Sequence, residues 1–190
     1  MIRRVMLEPR IQQQFFESAD LLYPSAEPLS RPLATAAQML FEAITAGGRV
    51  LCCGFGTAAL DARYLAALLV GRFEQDRPGL GALALDELCD AARQIQTLGH
   101  PGDVLVVFDV HGAPGDAWTA VIEAAHDQDM SVIALTGSAP ADEPWRARLL
   151  DTDVPLRFPS SRTARIAEGL RLITHCLCDA VDVQLLGSTE

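Results

Sequence analysis

At 190 residues, with 49% hydrophobic side chains and a formal net charge of -10, the chain is long enough to bury one full α/β core without staples, and its length favours one domain over two. The acidic balance argues against nucleic acid or an anionic membrane as a direct partner, because affinity for phosphate polymers needs a basic surface. No apolar run approaches the ~20 residues of a membrane span, residues 1–10 lack the apolar core of a signal peptide, and five cysteines without a Cys-x-x-Cys pair read as reduced thiols in a cytoplasmic protein.

Along the chain, Ile11, Phe15, Ala19 and Leu22 recur at helical spacing before the Tyr23-Pro-Ser-Ala-Glu-Pro28 segment, and Leu33, Ala36, Ala37, Leu40 and Ile44 do so before Gly47-Gly48. This predicts two N-terminal helices within residues 1–47. A buried strand beginning near Arg49 then carries Cys52 and Cys53, whose side chains point to opposite faces, and enters a Gly54-x-Gly56-Thr57 turn. A helix over 57–70, a strand over 80–85, a helix over 87–98 and a strand over 103–108 follow. A helix over 115–128, a strand over 131–135, a polar proline-rich stretch, a strand over 154–158 and a long helix over 163–185 complete the reading. Near-continuous apolar strands alternating with helices predict a parallel sheet covered on both faces, in a single domain spanning 1–190 with its α/β core at 48–190. The last helix carries Ile166, Leu170, Ile173, Leu177 and Val181 on one stripe, while Cys176 and Cys178 diverge by roughly 200° and make no metal pair.

In an open parallel sheet, ligands sit outside the carboxyl ends of the strands, so the loops after Cys53, Leu85, Phe108, Leu135 and Phe158 form the candidate walls. The first could cradle an anion through backbone N–H groups, with Gly54 and Gly56 shaping the turn and Thr57 as hydroxyl donor; a tight turn without a ligand is the other reading. The third, Asp109-Val-His-Gly-Ala-Pro114, repels phosphate, since two unit charges at 4 Å interact by ~4 kcal/mol at an effective dielectric near 20. Asp109 and His111 are also the one acid and base pair close in sequence, hence catalytic candidates. The fourth loop keeps Thr136 and Ser138; the fifth offers Ser160, Ser161, Thr163, Arg162 and Arg165, with Thr163 also readable as a helix N-cap. His100, His126 and His175 make no metal signature, and Asp61 with Arg63 reads as a helix-surface pair or subunit contact.

Several segments together carry a family resemblance: Leu51-Cys-Cys-Gly-Phe-Gly-Thr-Ala-Ala-Leu-Asp-Ala-Arg-Tyr64, Gly71-Arg-Phe-Glu-Gln-Asp-Arg-Pro78, Leu98-Gly-His-Pro-Gly-Asp-Val-Leu105, Ala134-Leu-Thr-Gly137, Pro159-Ser-Ser-Arg-Thr-Ala-Arg-Ile-Ala-Glu168 and Cys176-Leu-Cys-Asp179. The chain resembles the SIS-domain family, which groups the phosphoheptose isomerases with the non-enzymatic DnaA initiator-associating (DiaA-like) proteins. The resemblance implies a three-layer domain with a five-stranded parallel sheet preceded by N-terminal helices, and a homotetramer. In the isomerases of this family a zinc ion is held by two histidines, a glutamate and a glutamine. The matching positions here are Tyr64, Leu68, Ala167 and His175, and one surviving ligand implies a lost zinc site. Phosphate-gripping serines of the family fall on Ala58, Asp109 and Pro114, and the segment between Leu85 and Leu98 is shorter than in relatives. The resemblance therefore implies a DiaA-like scaffold for DnaA, whose Leu-Phe partner-binding pair falls on Leu185 and Leu186 beyond Asp182. The other reading is a sugar-phosphate enzyme or sensor using Thr57, Asp109, His111, Thr136, Ser160, Ser161 and His175.

Overall fold

Side chains alternate across a strand, and in the central strands of this chain both alternating sets are apolar, so the sheet must be covered on both faces. The structure, a computed structural model, describes residues 7–85, 90–138 and 143–187. Strands β1 (Val50–Gly54), β2 (Ala82–Ala84), β3 (Val104–Phe108), β4 (Ser131–Thr136) and β5 (Val154–Arg157) form one parallel sheet in the order β2-β1-β3-β4-β5. Val50, Cys52, Val104, Val106, Phe108, Ile133 and Leu135 point into one core, beneath helices α1 (Leu7–Thr45), α2 (Ala59–Val70) and α5 (Thr163–Leu186). Leu51, Cys53, Leu105, Val107, Val132 and Ala134 point into the other, beneath α3 (Ala91–Leu98), α4 (Gly115–His126) and a short 3-10 turn at Pro144–Arg148. The expected five-stranded three-layer fold is present, and the α5 stripe from Ile166 to Val181 is buried throughout.

Two expectations change. The strand over 80–85 is confined to Ala82–Ala84. The start of the helix expected over 87–98 falls partly on residues 86–89, outside the described residues; from Ala91 the helix is present, capped by the Asp90 carboxylate, which accepts from the Ala92 N–H at 3.0 Å. More importantly, the two N-terminal helices are one continuous 39-residue helix that contains Pro24, Pro28 and Pro32. Each proline removes a hydrogen bond to the carbonyl four residues back. Their spacing of four keeps these defects on one side of α1, where Asp20, Pro24 and Pro28 are exposed and water can take the freed carbonyls. On the other side Leu21, Leu22, Leu29, Leu33, Ala36, Ala37 and Leu40 pack into the core shared with α5. Packing of that face outweighs the propensity penalty, roughly 3 kcal/mol per proline.

A buried ion pair locks α2 to α5. The Arg77 and Asp182 side chains are 1% and 3% exposed and meet at 2.5 Å. Arg77 also donates to the carbonyls of Leu68 (3.1 Å), Leu69 (2.9 Å) and Pro78 (3.2 Å). The first two belong to the last turn of α2, whose carbonyls lack intrahelical partners, so Arg77 caps that helix while pairing across to α5.

Burial holds the Cys52 thiol well above its ordinary range and pushes Cys53 up to about 12; Cys178, also desolvated, is likewise raised to about 12. The thiolate is the reactive form. In the native protein these three thiols are therefore expected to stay unmodified by iodoacetamide until the chain unfolds, as read by peptide mass mapping; labelling of Cys52 without unfolding would contradict this burial.

Candidate functional site

Strand order reverses between β1 and β3, because the chain steps from β1 outward to β2 and then crosses back to β3. Loops leaving the carboxyl ends of β1 and β3 diverge there and open a crevice. The β1 loop turns sharply: a Cβ at Gly54 would lie 2.4 Å from the Ala58 carbonyl oxygen, and Gly56 has φ +56°, a left-handed conformation that glycine adopts without strain. Thr57 follows, and the β3 loop brings His111 against it, with Thr57 Oγ1 2.7 Å from His111 Nε2. Two predicted site residues thus meet directly across the crevice.

Asp109 has a different task. Its carboxylate is 4% exposed and accepts four hydrogen bonds besides the backbone's own: from the N–H groups of His111 (2.9 Å), Gly112 (2.9 Å) and Ala113 (2.6 Å), and from Trp118 Nε1 (3.0 Å). These bonds fold the β3 loop back onto the start of α4. The Trp118 ring stacks on Trp145 at 4.3 Å between centroids, with Phe55 at 5.3 Å on its other flank. The aromatic floor was not visible as a site feature in sequence, because Trp145 comes from the 3-10 turn before β5 and meets α4 only in the fold.

Asp109, His111, Thr136, Ser138 and Ser161 line one pocket of about 170 Å³, together with Thr163, Glu143 and the two tryptophans. Its described lining includes two carboxylates and no lysine or arginine. Ser160 turns away from it: its side chain is buried and accepts from the Arg162 N–H at 3.2 Å, while its carbonyl accepts from the Ser138 N–H at 2.7 Å. Thr163 is the first residue of α5 rather than its N-cap; Arg162 holds that position without a side-chain bond, and Ser160 takes over the local capping.

His175 lies elsewhere, in the seam between α2 and α5. Its Nε2 is 3.0 Å from the Tyr64 hydroxyl, and Phe73 packs on it at 5.4 Å. The Arg171 guanidinium sits 3.8 Å above the Tyr64 ring and pairs with Asp61 at 2.8 Å. The expected surface pairing of Asp61 with Arg63 is thereby corrected: residues two apart on a helix do not face each other, and Asp61 turns inward, 7% exposed. Burial pushes the Asp61 carboxyl above its ordinary range, against the opposing pull of Arg171. Beside this cluster is a depression of about 530 Å³ lined by Thr57, Leu60, Asp61, Ala167, Glu168 and Arg171. Leu68 and Ala167, the remaining positions of the expected zinc set, offer no donor side chain.

Farther along α5, Leu185 is half-buried against the core and Leu186 is 45% exposed at the helix end.

The fold is a three-layer α/β domain with its crevice at the β1/β3 switch point, outside the carboxyl ends of the strands. The family model for the SIS domain matches residues 14–137, and the chain belongs to that family. The phosphoheptose isomerase of Methylibium petroleiphilum is 50% identical, over 97% of this chain and 98% of its own. The DnaA initiator-associating protein DiaA of Klebsiella pneumoniae is 41% identical, over 91% and 94%. The structure of a phosphoheptose isomerase from Francisella tularensis matches with a TM-score of 0.82 at 30% identity, covering 94% of this chain and 99% of that one. The family resemblance and the fold it implied are both borne out.

Proposed function

We propose that this chain is a non-catalytic SIS-domain scaffold that acts in the cytoplasm as a homo-oligomer, a tetramer by resemblance, and binds the replication initiator DnaA. The observation that carries the reading is that the polar groups of the crevice, and those of the α2–α5 seam, are committed to one another. Thr57 is engaged with His111, Asp109 with three backbone N–H groups and an indole, Tyr64 with His175, and Asp61 with Arg171. A general acid or base must reach the proton it moves, and the Asp109 carboxylate, held by four donors, would first have to give one of them up. Among the described residues, the pocket lining offers no lysine or arginine to neutralise a phosphate. An imidazole, a phenol and two aliphatic side chains do not supply the four-donor tetrahedral set that zinc requires, so no step is assigned to a metal.

Oligomer formation is supported by apolar surface on α1, where Leu7, Ile11, Phe15, Phe16 and Tyr23 are all exposed. A groove of about 360 Å³ between α1 and α5, lined by residues such as Leu22, Leu29, Leu33, Leu172 and Ile173, adds to it. Apolar patches of this kind mark protein contacts. The DiaA name belongs to relatives such as the Klebsiella pneumoniae protein; the surface proposed to carry DnaA binding here is the end of α5 at Leu185 and Leu186.

The test is equilibrium binding to the N-terminal domain of the DnaA protein from the same organism. Saturable binding is expected, weakened at least ~30-fold in Leu185→Ala/Leu186→Ala, the size of a central hot spot of about 2 kcal/mol. Because Leu186 is exposed, Leu186→Ala alone tests the surface without disturbing the core. A folded oligomer that binds no DnaA sinks the proposal.

A second reading, a phosphoheptose isomerase-like enzyme or sugar-phosphate sensor, is favoured by the 50% identity to a relative bearing the isomerase name. It would use Thr57, Thr136 and Ser161 at the crevice, with His111 or His175 as acid or base. Titration with sedoheptulose 7-phosphate followed by calorimetry separates the two: saturable heat supports this reading, and a flat response supports the scaffold.

A further inference from the structure

Helix α5 presents Ala167, Arg171 and His175 four residues apart, hence on one face, and α2 presents Asp61, Tyr64 and Leu68 toward it at helical spacing. By family resemblance this seam is where zinc would be held, and Arg171 stands midway between two of the four positions. Its guanidinium is anchored by Asp61 at 2.8 Å and sits over the Tyr64 ring, 3.8 Å from its centroid, while the Tyr64 hydroxyl continues the chain of contacts to His175 Nε2 at 3.0 Å. Phe73 closes the far side of the imidazole.

We infer that Arg171 is a built-in cation: its guanidinium takes the place of a metal ion at the α2–α5 seam, neutralises buried Asp61, and makes the seam refractory to divalent metal independently of the lost ligands. Three features of the residue suit it to this task. A guanidinium stays protonated at any pH a protein experiences, so it cannot make way for a metal by losing a proton. Its planar face stacks on an aromatic ring, an interaction that a flexible ammonium makes less well. And Asp61, a carboxylate on the inner face of α2, requires a positive partner once buried, which Arg171 supplies from within the chain. The seam is then a structural strut, held by charge and stacking.

The inference rests on the non-catalytic reading but is tested separately from DnaA binding, by metal uptake of the full-length chain. The probe is cobalt(II) chloride, read by the visible absorption of a tetrahedral cobalt centre and by metal content after gel filtration. Tyr64→His/Leu68→Glu/Ala167→Gln restores four donors together with His175. With Arg171 retained, this variant is expected to take up no cobalt; with Arg171→Leu added, it is expected to take up one ion per protomer with at least tenfold higher affinity. Equal uptake by both, or none by either, overturns the inference, because the guanidinium would then not be what excludes the metal. Should the multiply substituted chains not fold, Arg171→Leu alone decides: a melting temperature lowered by at least roughly 4 °C supports the strut, and an unchanged one overturns it. Loss of DnaA binding in none of these variants bears on the seam, so each proposal can fail alone.

Discussion

Asp182→Ala is expected to lower stability by about 3–5 kcal/mol, the range for removing one partner of a buried ion pair. Domains of this kind are stable by about 5–15 kcal/mol in total, so the change brings the fold near its limit. The physical reason lies with the group left behind. Arg77, whose side chain is 1% exposed, would keep its bonds to the carbonyls of Leu68, Leu69 and Pro78 but lose the only anion paired with it among the described residues. Carbonyl dipoles cannot neutralise a full charge in a desolvated site. The control is a volume-conserving double replacement, Arg77→Met/Asp182→Leu, expected to be less harmful than Asp182→Ala alone because it removes both charges together. Urea unfolding of the three proteins checks this. A loss below about 1 kcal/mol in Asp182→Ala would mean that the carbonyl cage suffices and that the pair is not central to the α2–α5 contact.

The same residue reports on the proposed partner surface. Asp182 lies one turn before Leu185 and Leu186, and Leu185 packs back on the core. Releasing α5 from Arg77 lets the final turn fray, since terminal residues of a helix hold only what packing gives them. In the scaffold reading, Asp182→Asn is expected to weaken DnaA binding even at temperatures where the rest of the domain stays folded, measured in the same titration that tests Leu186→Ala.

Sequence made the sheet legible because its strands are short apolar runs bounded by glycine and polar turns, and because both faces of the central strands β1, β3 and β4 had to be buried. It made α5 legible through a stripe that repeats from Ile166 to Val181. It misplaced the N-terminal region for a local reason: proline at 24 and 28 argues for a break when only the chain itself is considered, and the contacts that override it come from α5, more than a hundred residues away. The site divided along the same line. Thr57 and His111 could be placed at the strand ends because strand-end loops can be read from strand positions, and their meeting follows from the reversal of strand order between β1 and β3. Asp109 was read as a charge facing a ligand, whereas the nearby N–H groups of residues 111–113 claim it, an outcome common for Asp at the start of a turn. Arg77, Arg171 and Trp145 went unrecognised because each acquires its meaning from a partner on another element. The spacing of Arg171, four residues from both Ala167 and His175, was the signal available for one of them.

Trp118→Ala is the change expected to act most widely. The side chain is 1% exposed, and truncation of a buried tryptophan removes about 3–5 kcal/mol. Here three contacts vanish together: the stack on Trp145, the flank against Phe55, and the indole N–H bond to Asp109. Trp118→Phe separates them, since it keeps most of the ring surface and deletes the donor. A hydrogen bond to a charged group contributes about 1.5–3 kcal/mol, so the phenylalanine variant is expected to lose the smaller part. Asp109 would retain the N–H groups of His111, Gly112 and Ala113, which keeps the β3 loop folded and His111 against Thr57. In the alanine variant the floor beneath that loop is gone. The amides of residues 111–113 are then expected to exchange with deuterium at least tenfold faster than in Trp118→Phe, because faster local opening is what loss of packing beneath a loop produces. Equal exchange in the two variants would show that Asp109 alone organises the loop, and that the paired tryptophans support the domain without shaping the crevice.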